Sequence, residues 1–230
     1  MKEFIEVAAS KRSLSLRRPL FGIGINDAWY NVNFYLNGSL ESSCPYYIKW
    51  KHMITRCYSQ SYQHNSPTYI GCSVCLEWRK FSCFKLWMKS QDWKGKQLDK
   101  DLLVYGNKIY SPETCVFVSS QINSILLDSE GRRGKYPQGV TYNSRDNVFV
   151  AQCRVGGEFK WIGSYNNEID AEVSYLTFKS KIIIEASQNQ TEKIRSALVM
   201  ASNRMINRVD QLLIKKASQQ RPTGTSKAYL

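Results

Sequence analysis

The sequence predicts an α+β fold: a mainly helical N-terminal module, a three-stranded antiparallel sheet packed on one helix, and a further helix at the C-terminus. Three patterns carry that expectation. Apolar and aromatic residues recur at helical spacing in two stretches of the first half. Three runs of strand-forming residues surround the Gly156-Gly157 pair in the second half, and two amphipathic stretches follow them. At about 150 residues per domain, 230 residues allow one large domain or two small ones.

Taken in order, residues 1–21 carry Lys11, Arg12, Arg17 and Arg18 among serines and are expected to form a mobile basic arm, helical at 3–9. In residues 46–58, Tyr47, Trp50, Ile54 and Cys57 share one helical face while Lys49, Lys51 and Arg56 take others. Residues 60–71, polar and containing Pro67 and Gly71, read as a loop. Residues 77–90 read as one second helix, with Phe81, Phe84, Trp87 and Met88 in the core. A short run at 98–104, a turn at Gly106-Asn107, a new element opened by Ser111-Pro112-Glu113 and a helix carrying Asn123 complete a module spanning 22–127. Residues 128–137 suit a linker, and the domain boundary is placed there.

Strands are expected at 139–142, 148–155 and 158–163, the last two joined by a two-residue Gly156-Gly157 turn. The helix at 167–183 has Ala171, Tyr175, Phe178 and Ile182 as a stripe to lay on that sheet, closing a second module at 138–184. The segment 185–216 is read as the C-terminal helix through Ile194, Leu198, Ala201, Met205 and Leu212, and 217–230 as a disordered tail.

Lys plus Arg exceed Asp plus Glu by 32 to 19, a net charge of +13, so polyanions are the first partner to expect. Hydrophobic residues at 43% and aromatics at 13% exclude the disordered class. No stretch approaches the roughly 18 consecutive apolar residues of a membrane span, and Glu and Arg interrupt any apolar run in residues 1–20, so an export signal is not expected there. The expectation is a cytoplasmic protein without membrane contact. His52 and His64 are the only histidines, which removes most His-based catalytic sites from the remaining two thirds. Within residues 132–165, Arg132, Arg133, Lys135, Arg145, Arg154 and Lys160 face only Asp146 and Glu158, marking a contact surface.

Seven cysteines, an odd number, argue against a disulfide framework. The Cys72-x-x-Cys75 spacing lets two thiolates reach one tetrahedral Zn²⁺, with Cys57 beside them and a fourth donor from His64, Cys83 or Cys115. Buried free thiols are the competing reading.

Leu98-Asp99-Lys100-Asp101, then Gly106-Asn107-Lys108, then Ser111-Pro112-Glu113-Thr114-Cys115, and finally Asn123, resemble the HNH or ββα-metal nucleases of phage homing endonucleases. Residues 50–58 (WKHMITRCY), Glu77-Trp78 with Phe81 and Phe84, Ile109-Tyr110-Ser111-Pro112 and the lead-in 22–27 (GIGIND) look like stretches of such phage proteins. The resemblance implies a strand, loop and helix around one Mg²⁺ or Mn²⁺. Asp99 would be the first metal ligand, Lys100 would stand at the general base, Thr114 near the family's middle Asn, and Asn123 would be the second ligand. The family base is usually His. A lysine ammonium, with an ordinary pKa of about 10.4, has no lone pair for water's proton. Asp101 acting as base, Lys100 gripping phosphate, and loss of cleavage are the three alternatives.

Residues 134–184 resemble the Apetala or ethylene-response-factor type of DNA-binding domain, through Gly139-Val140, Phe149-Val150-Ala151, Trp161-Ile162-Gly163, Asp170-Ala171 and Tyr175 with Lys179. In that family the sheet enters the major groove. Strand alternation here puts Gln152 and Arg154 opposite Phe149, Ala151 and Cys153. Arg154 and Trp161 retain family contact types, whereas Gln138, Thr141, Asn143 and Arg145 stand where arginines are usual. Arg145 and Arg154 suit phosphate or guanine, Gln152 or Asn143 adenine, and Trp161 sugar and base edges. A solvated face with Trp161 in the core is the alternative. Together the resemblances imply sequence-selective double-stranded DNA binding with metal-dependent cleavage or nicking. The competing class is an inactive phage DNA-binding regulator or an inhibitor of a host defence. A phage origin would place the protein in the host cytoplasm, and the C-terminal helix could pair with a second copy as a homodimer.

Overall fold

A computed structural model describes residues 4–127 and 134–219, which form two compact units dividing after Asn123. The fold is α+β, with four small sheets among the described residues. Most of the expected linker, the end of the expected tail, and Arg132 and Arg133 lie outside the described residues. No helix among those described is long and apolar enough to cross a membrane.

The N-terminal unit is built around α2 (Pro45–Tyr58), where the expected helical face is buried through Tyr47, Trp50, Met53, Ile54 and Cys57. Proline at its first turn starts it without losing a needed donor. The basic N-terminal segment departs from the mobile arm expected of it. Its short helix, α1, spans Lys11–Ser15, and residues 4–9 of the helix expected at 3–9 are not helical, Glu3 lying outside the described residues. Ala8 bridges Tyr30, and the Arg17 guanidinium donates to the carbonyls of Asn26, Ala28 and Tyr30. A hairpin of β1 (Asn33–Leu36) and β2 (Ser39–Ser43) follows, turning at Asn37-Gly38, the strongest short hairpin signal a sequence offers.

Two further expectations are corrected. Residues 60–71 are not a plain loop: α3 (Gln60–Asn65) is capped by the Ser59 side chain, and a 3₁₀ turn covers Pro67–Tyr69. The single helix expected at 77–90 is a 3₁₀ turn at Glu77–Arg79 followed by α4 (Phe81–Lys89). The break has a tertiary cause. Ile25 donates its N–H to the Arg79 carbonyl and accepts from the Phe81 N–H, which pulls Lys80 into an extended conformation. Asp27 then accepts from the Ser82 N–H and hydroxyl and satisfies the new helix start.

In the C-terminal unit, β7 (Val140–Asn143), β8 (Val148–Val155) and β9 (Glu158–Tyr165) form the expected antiparallel sheet. Both turn glycines between β8 and β9 have positive φ, as a two-residue primed turn requires. Val140, Ala151 and Cys153 pack on Ala171 and Tyr175 of α6 (Glu168–Ser187), whose start is capped by Asn167. Along α6 runs α7 (Glu192–Gln219), antiparallel to it, with Ser202 on Ser180, Arg208 on Glu172 and Lys216 on Asp170. Ile194, Leu198, Ala201 and Leu212 are buried in this chain, so the stripe offered to a second copy is used internally.

Gly139 has φ +76°, and a Cβ there would lie 2.1 Å from the Tyr175 ring. Gly139→Ala is expected to destabilise the protein by roughly 2–4 kcal/mol, read as a lower denaturant midpoint. The hydrogen bond from Lys216, with a second from Asn167, holds the Asp170 carboxyl below its ordinary range despite opposing burial. A depressed carboxylate stabilises above its unfolded pKa of about 3.9 and loses that contribution as pH falls through the folded value. Urea midpoints at pH 6 and pH 3 should therefore differ less for Asp170→Asn than for the wild type, by under about 1 kcal/mol.

Candidate metal and nucleic-acid sites

In the N-terminal unit, β4 (Gln97–Asp99) pairs antiparallel with β6 (Val116–Val118), and α5 (Ser120–Leu126) begins two residues later. Alternation buries Leu98 and turns Gln97 and Asp99 to the other face. Asn123 on α5 donates its amide to Gln97 Oε1 at 2.7 Å, and Gln97 shares its strand face with Asp99. Asn123 is thereby joined to Gln97 at the start of β4, while Asp99 ends that strand and is engaged by the N–H groups of Asp101 and Leu102.

The loop after Asp99 is tied by side chains. Asp99 Oδ1 accepts from the N–H groups of Asp101 and Leu102, at 3.0 and 2.7 Å. Lys100 is only 7% exposed, and its ammonium donates to Asp101 Oδ2 at 2.9 Å and to the Asn107 carbonyl at 3.2 Å. Asn107 closes the loop: its amide donates to the carbonyls of Lys100 and Ile109, both at 2.6 Å, and its Oδ1 accepts from the Ile109 N–H. Thr114, expected near the middle Asn, donates to the Ile109 carbonyl that Asn107 also serves. The loop is tied by Asn107, which the sequence presents as a turn residue and within the Gly106-Asn107-Lys108 stretch of the nuclease resemblance. A polar side chain beside a glycine turn was the available signal.

Burial raises the Asp99 carboxyl, with the Asp101 charge adding to it, while two backbone N–H donors and Lys100 oppose. Burial pulls the Lys100 ammonium down, but the hydrogen bond and charge of Asp101, with Cys72 and Asp99, hold it above the ordinary lysine value. It remains a cation with no lone pair to take a proton. Asp101, half exposed, is a carboxylate on this loop whose lone pairs can take a proton.

A carboxylate and an amide oxygen form a hard donor set of the kind Mg²⁺ or Mn²⁺ takes while keeping several waters. The thiols differ. Burial pushes Cys57 and Cys115 up to about 12, and raises Cys72 and Cys75. Among the described residues no group of three or more His, Cys, Asp or Glu side chains is gathered to hold a metal ion.

In the C-terminal unit, the sheet face turned away from α6 carries Gln152 and Arg154 opposite Trp161 and Phe159. Trp161 is 69% exposed and Phe159 67%, so Trp161 is not a core residue. Arg154 lies over the Phe159 ring, 5.5 Å from its centre, and donates to the Gly157 carbonyl, which fixes its guanidinium on that face. The bulge between Ala151 and Gln152 shifts the register, so Lys160 pairs with Cys153 and belongs to the opposite face. Asn143 is engaged in the β7–β8 turn, donating to Asp146 and accepting from the N–H groups of Arg145 and Asp146. Arg145 sits in that turn, and Lys135 lies near the Tyr136 ring. Phe159, an exposed aromatic between two strand charges, was not singled out from the sequence.

Asn107→Ala would leave the carbonyls of Lys100 and Ile109 without that donor. The expected result is a loss of about 1–3 kcal/mol in stability, with faster amide hydrogen exchange concentrated in residues 100–109.

No known protein family, curated protein or solved structure matches this chain.

Proposed function

We propose that this protein binds double-stranded DNA selectively and cleaves or nicks its backbone with a divalent metal, in the manner of a phage HNH homing endonuclease. The observation that carries the binding part is the solvent-facing Gln152, Arg154, Phe159 and Trp161 patch on the three-stranded sheet. Two exposed aromatic rings beside a fixed guanidinium and an amide are what a groove-reading surface needs: area against sugars, a fork for guanine or phosphate, and an amide for adenine. The net charge of +13 supplies the general attraction to a polyanion.

For the chemistry, Asp99 and Asn123 would hold Mg²⁺ or Mn²⁺. The metal would supply Lewis-acid stabilisation of charge on the phosphate and leaving oxygen. Asp99 contributes a carboxylate whose orientation is fixed by two backbone N–H donors. Asn123 is held by its amide bond to Gln97, and its amide oxygen would be the donor to the metal. Asp101 is the group on this loop that can accept water's proton, and Lys100 keeps the loop in shape from beneath.

The second reading is a DNA binder without cleavage. The buried ammonium of Lys100, where the resembling family has a base, favours it.

Supercoiled plasmid incubated with Mg²⁺ or Mn²⁺ at low salt is expected to be nicked or linearised by the wild type and left intact by Asp99→Ala. Intact plasmid with the wild type, alongside retained duplex binding, would select the second reading. In a mobility-shift assay, Trp161→Ala and Arg154→Ala should each weaken the preferred duplex about tenfold or more, and unchanged affinity in both would defeat the sheet-face assignment.

A further inference from the structure

Lys49, His52 and Arg56 lie at i, i+3 and i+7 of α2, on the side turned away from the core face of Tyr47, Trp50, Met53, Ile54 and Cys57. The two permanent cations are held in place by uncharged partners. Lys49 donates to the Lys96 carbonyl at 2.8 Å, and Arg56 stacks over Tyr69, 5.4 Å from the ring centre. Exposed His52 stands between them. Lys108, in the loop after Asp99, donates to the Thr68 carbonyl beside that same tyrosine. Among the described residues none of these groups has a carboxylate within ion-pair distance.

Partly buried cations such as Lys49 and Arg56, without an anion, lose hydration and repel one another with no opposite charge to offset either cost. The repulsion is visible in their protonation: burial first, then Arg56, pulls the Lys49 ammonium down, and burial followed by Arg56, Lys49 and Lys51 lowers His52. Tyr69 lies within reach of the charges of Arg56, Lys100 and Asp101, which sets the end of the stripe beside the loop that follows Asp99.

We infer that Lys49, His52 and Arg56, continued by Lys108, form a phosphate-binding track that grips the DNA backbone alongside the candidate metal site. This rests on the DNA-binding reading above and adds a second binding surface to it, in the N-terminal unit. A duplex backbone is the occupant because it presents phosphates in a row, at a spacing that successive helical turns of basic side chains can follow. The track positions the strand and reads no bases. Its removal should therefore weaken all sequences alike.

The test is duplex affinity as a function of salt for wild type, Lys49→Gln and Lys49→Gln/Arg56→Gln, with thermal melting to show that each is folded. Each phosphate that the protein no longer neutralises should reduce the slope of log K against log salt by about 0.9, hence about 1 for the single and about 2 for the double variant. The ratio of affinities between preferred and scrambled duplexes should not change. If Arg56→Gln does not fold, Lys49→Glu replaces the double variant. Unchanged slopes in folded variants, or a changed sequence ratio, would overturn the track. Weakened binding in Trp161→Ala with unchanged slopes here would overturn the track and leave the sheet-face reading standing. Absence of duplex binding by the wild type would overturn both.

Discussion

The indole N–H of buried Trp50 donates to the carbonyl of buried Trp78 at 2.7 Å, and the N-terminal unit is organised by bonds of this kind. Its strands after the hairpin are only two or three residues long, too short to satisfy the backbone of a unit this size through ladders. Side chains take over. Arg17 serves three carbonyls, Gln63 serves Cys57, Lys49 serves Lys96, and Asn107 serves two. Around Trp50 the rings of Tyr47, Phe81, Trp78, Phe84 and Trp87 meet in tilted or edge-on pairs, which supply apolar area while leaving indole and phenol groups able to reach polar partners.

The same dependence explains the loop between β4 and β6. A loop carrying Asp99, Lys100 and Asp101 in a row would tend to open through repulsion between its carboxylates. Lys100 underneath neutralises one of them, and Asn107 spans the gap as a second backbone would. The cost is a buried lysine ammonium, offset by its bonds to Asp101 and the Asn107 carbonyl. The module is thus stiff at the residues proposed to hold a metal, and rigidity there serves positioning whether or not a bond is broken.

The C-terminal unit obeys a different rule. Here strands of up to eight residues satisfy their own backbone, and along β8 Ala151 and Cys153 are buried toward α6 while Arg154 is exposed on the other face. Function can then be written on one face without disturbing the other. Gly139 allows the Tyr175 ring to approach the chain just before β7, and Lys179 reaches across to Gln138, so the sheet and α6 are locked at that edge. Each unit has its own apolar core, one held by side-chain ties and the other by ladders.

Periodicity in the sequence determined α2, the three-stranded sheet with its Gly156-Gly157 turn, α6 and α7, because an amphipathic repeat reports which face will be buried whatever it is buried against. Tertiary structure alone decided the rest. The break at Lys80 depends on Ile25, far away in the chain, and the order of the basic N-terminal segment depends on carbonyls that Arg17 finds only after folding. Whether Trp161 is core or surface, and which side Lys160 takes, turns on one bulge that shifts the register. Spacing records the local period of a chain. It carries no record of which distant carbonyl or ring will stand opposite a side chain, and in this protein those partners fix both the loop at Asp99 and the cations along α2.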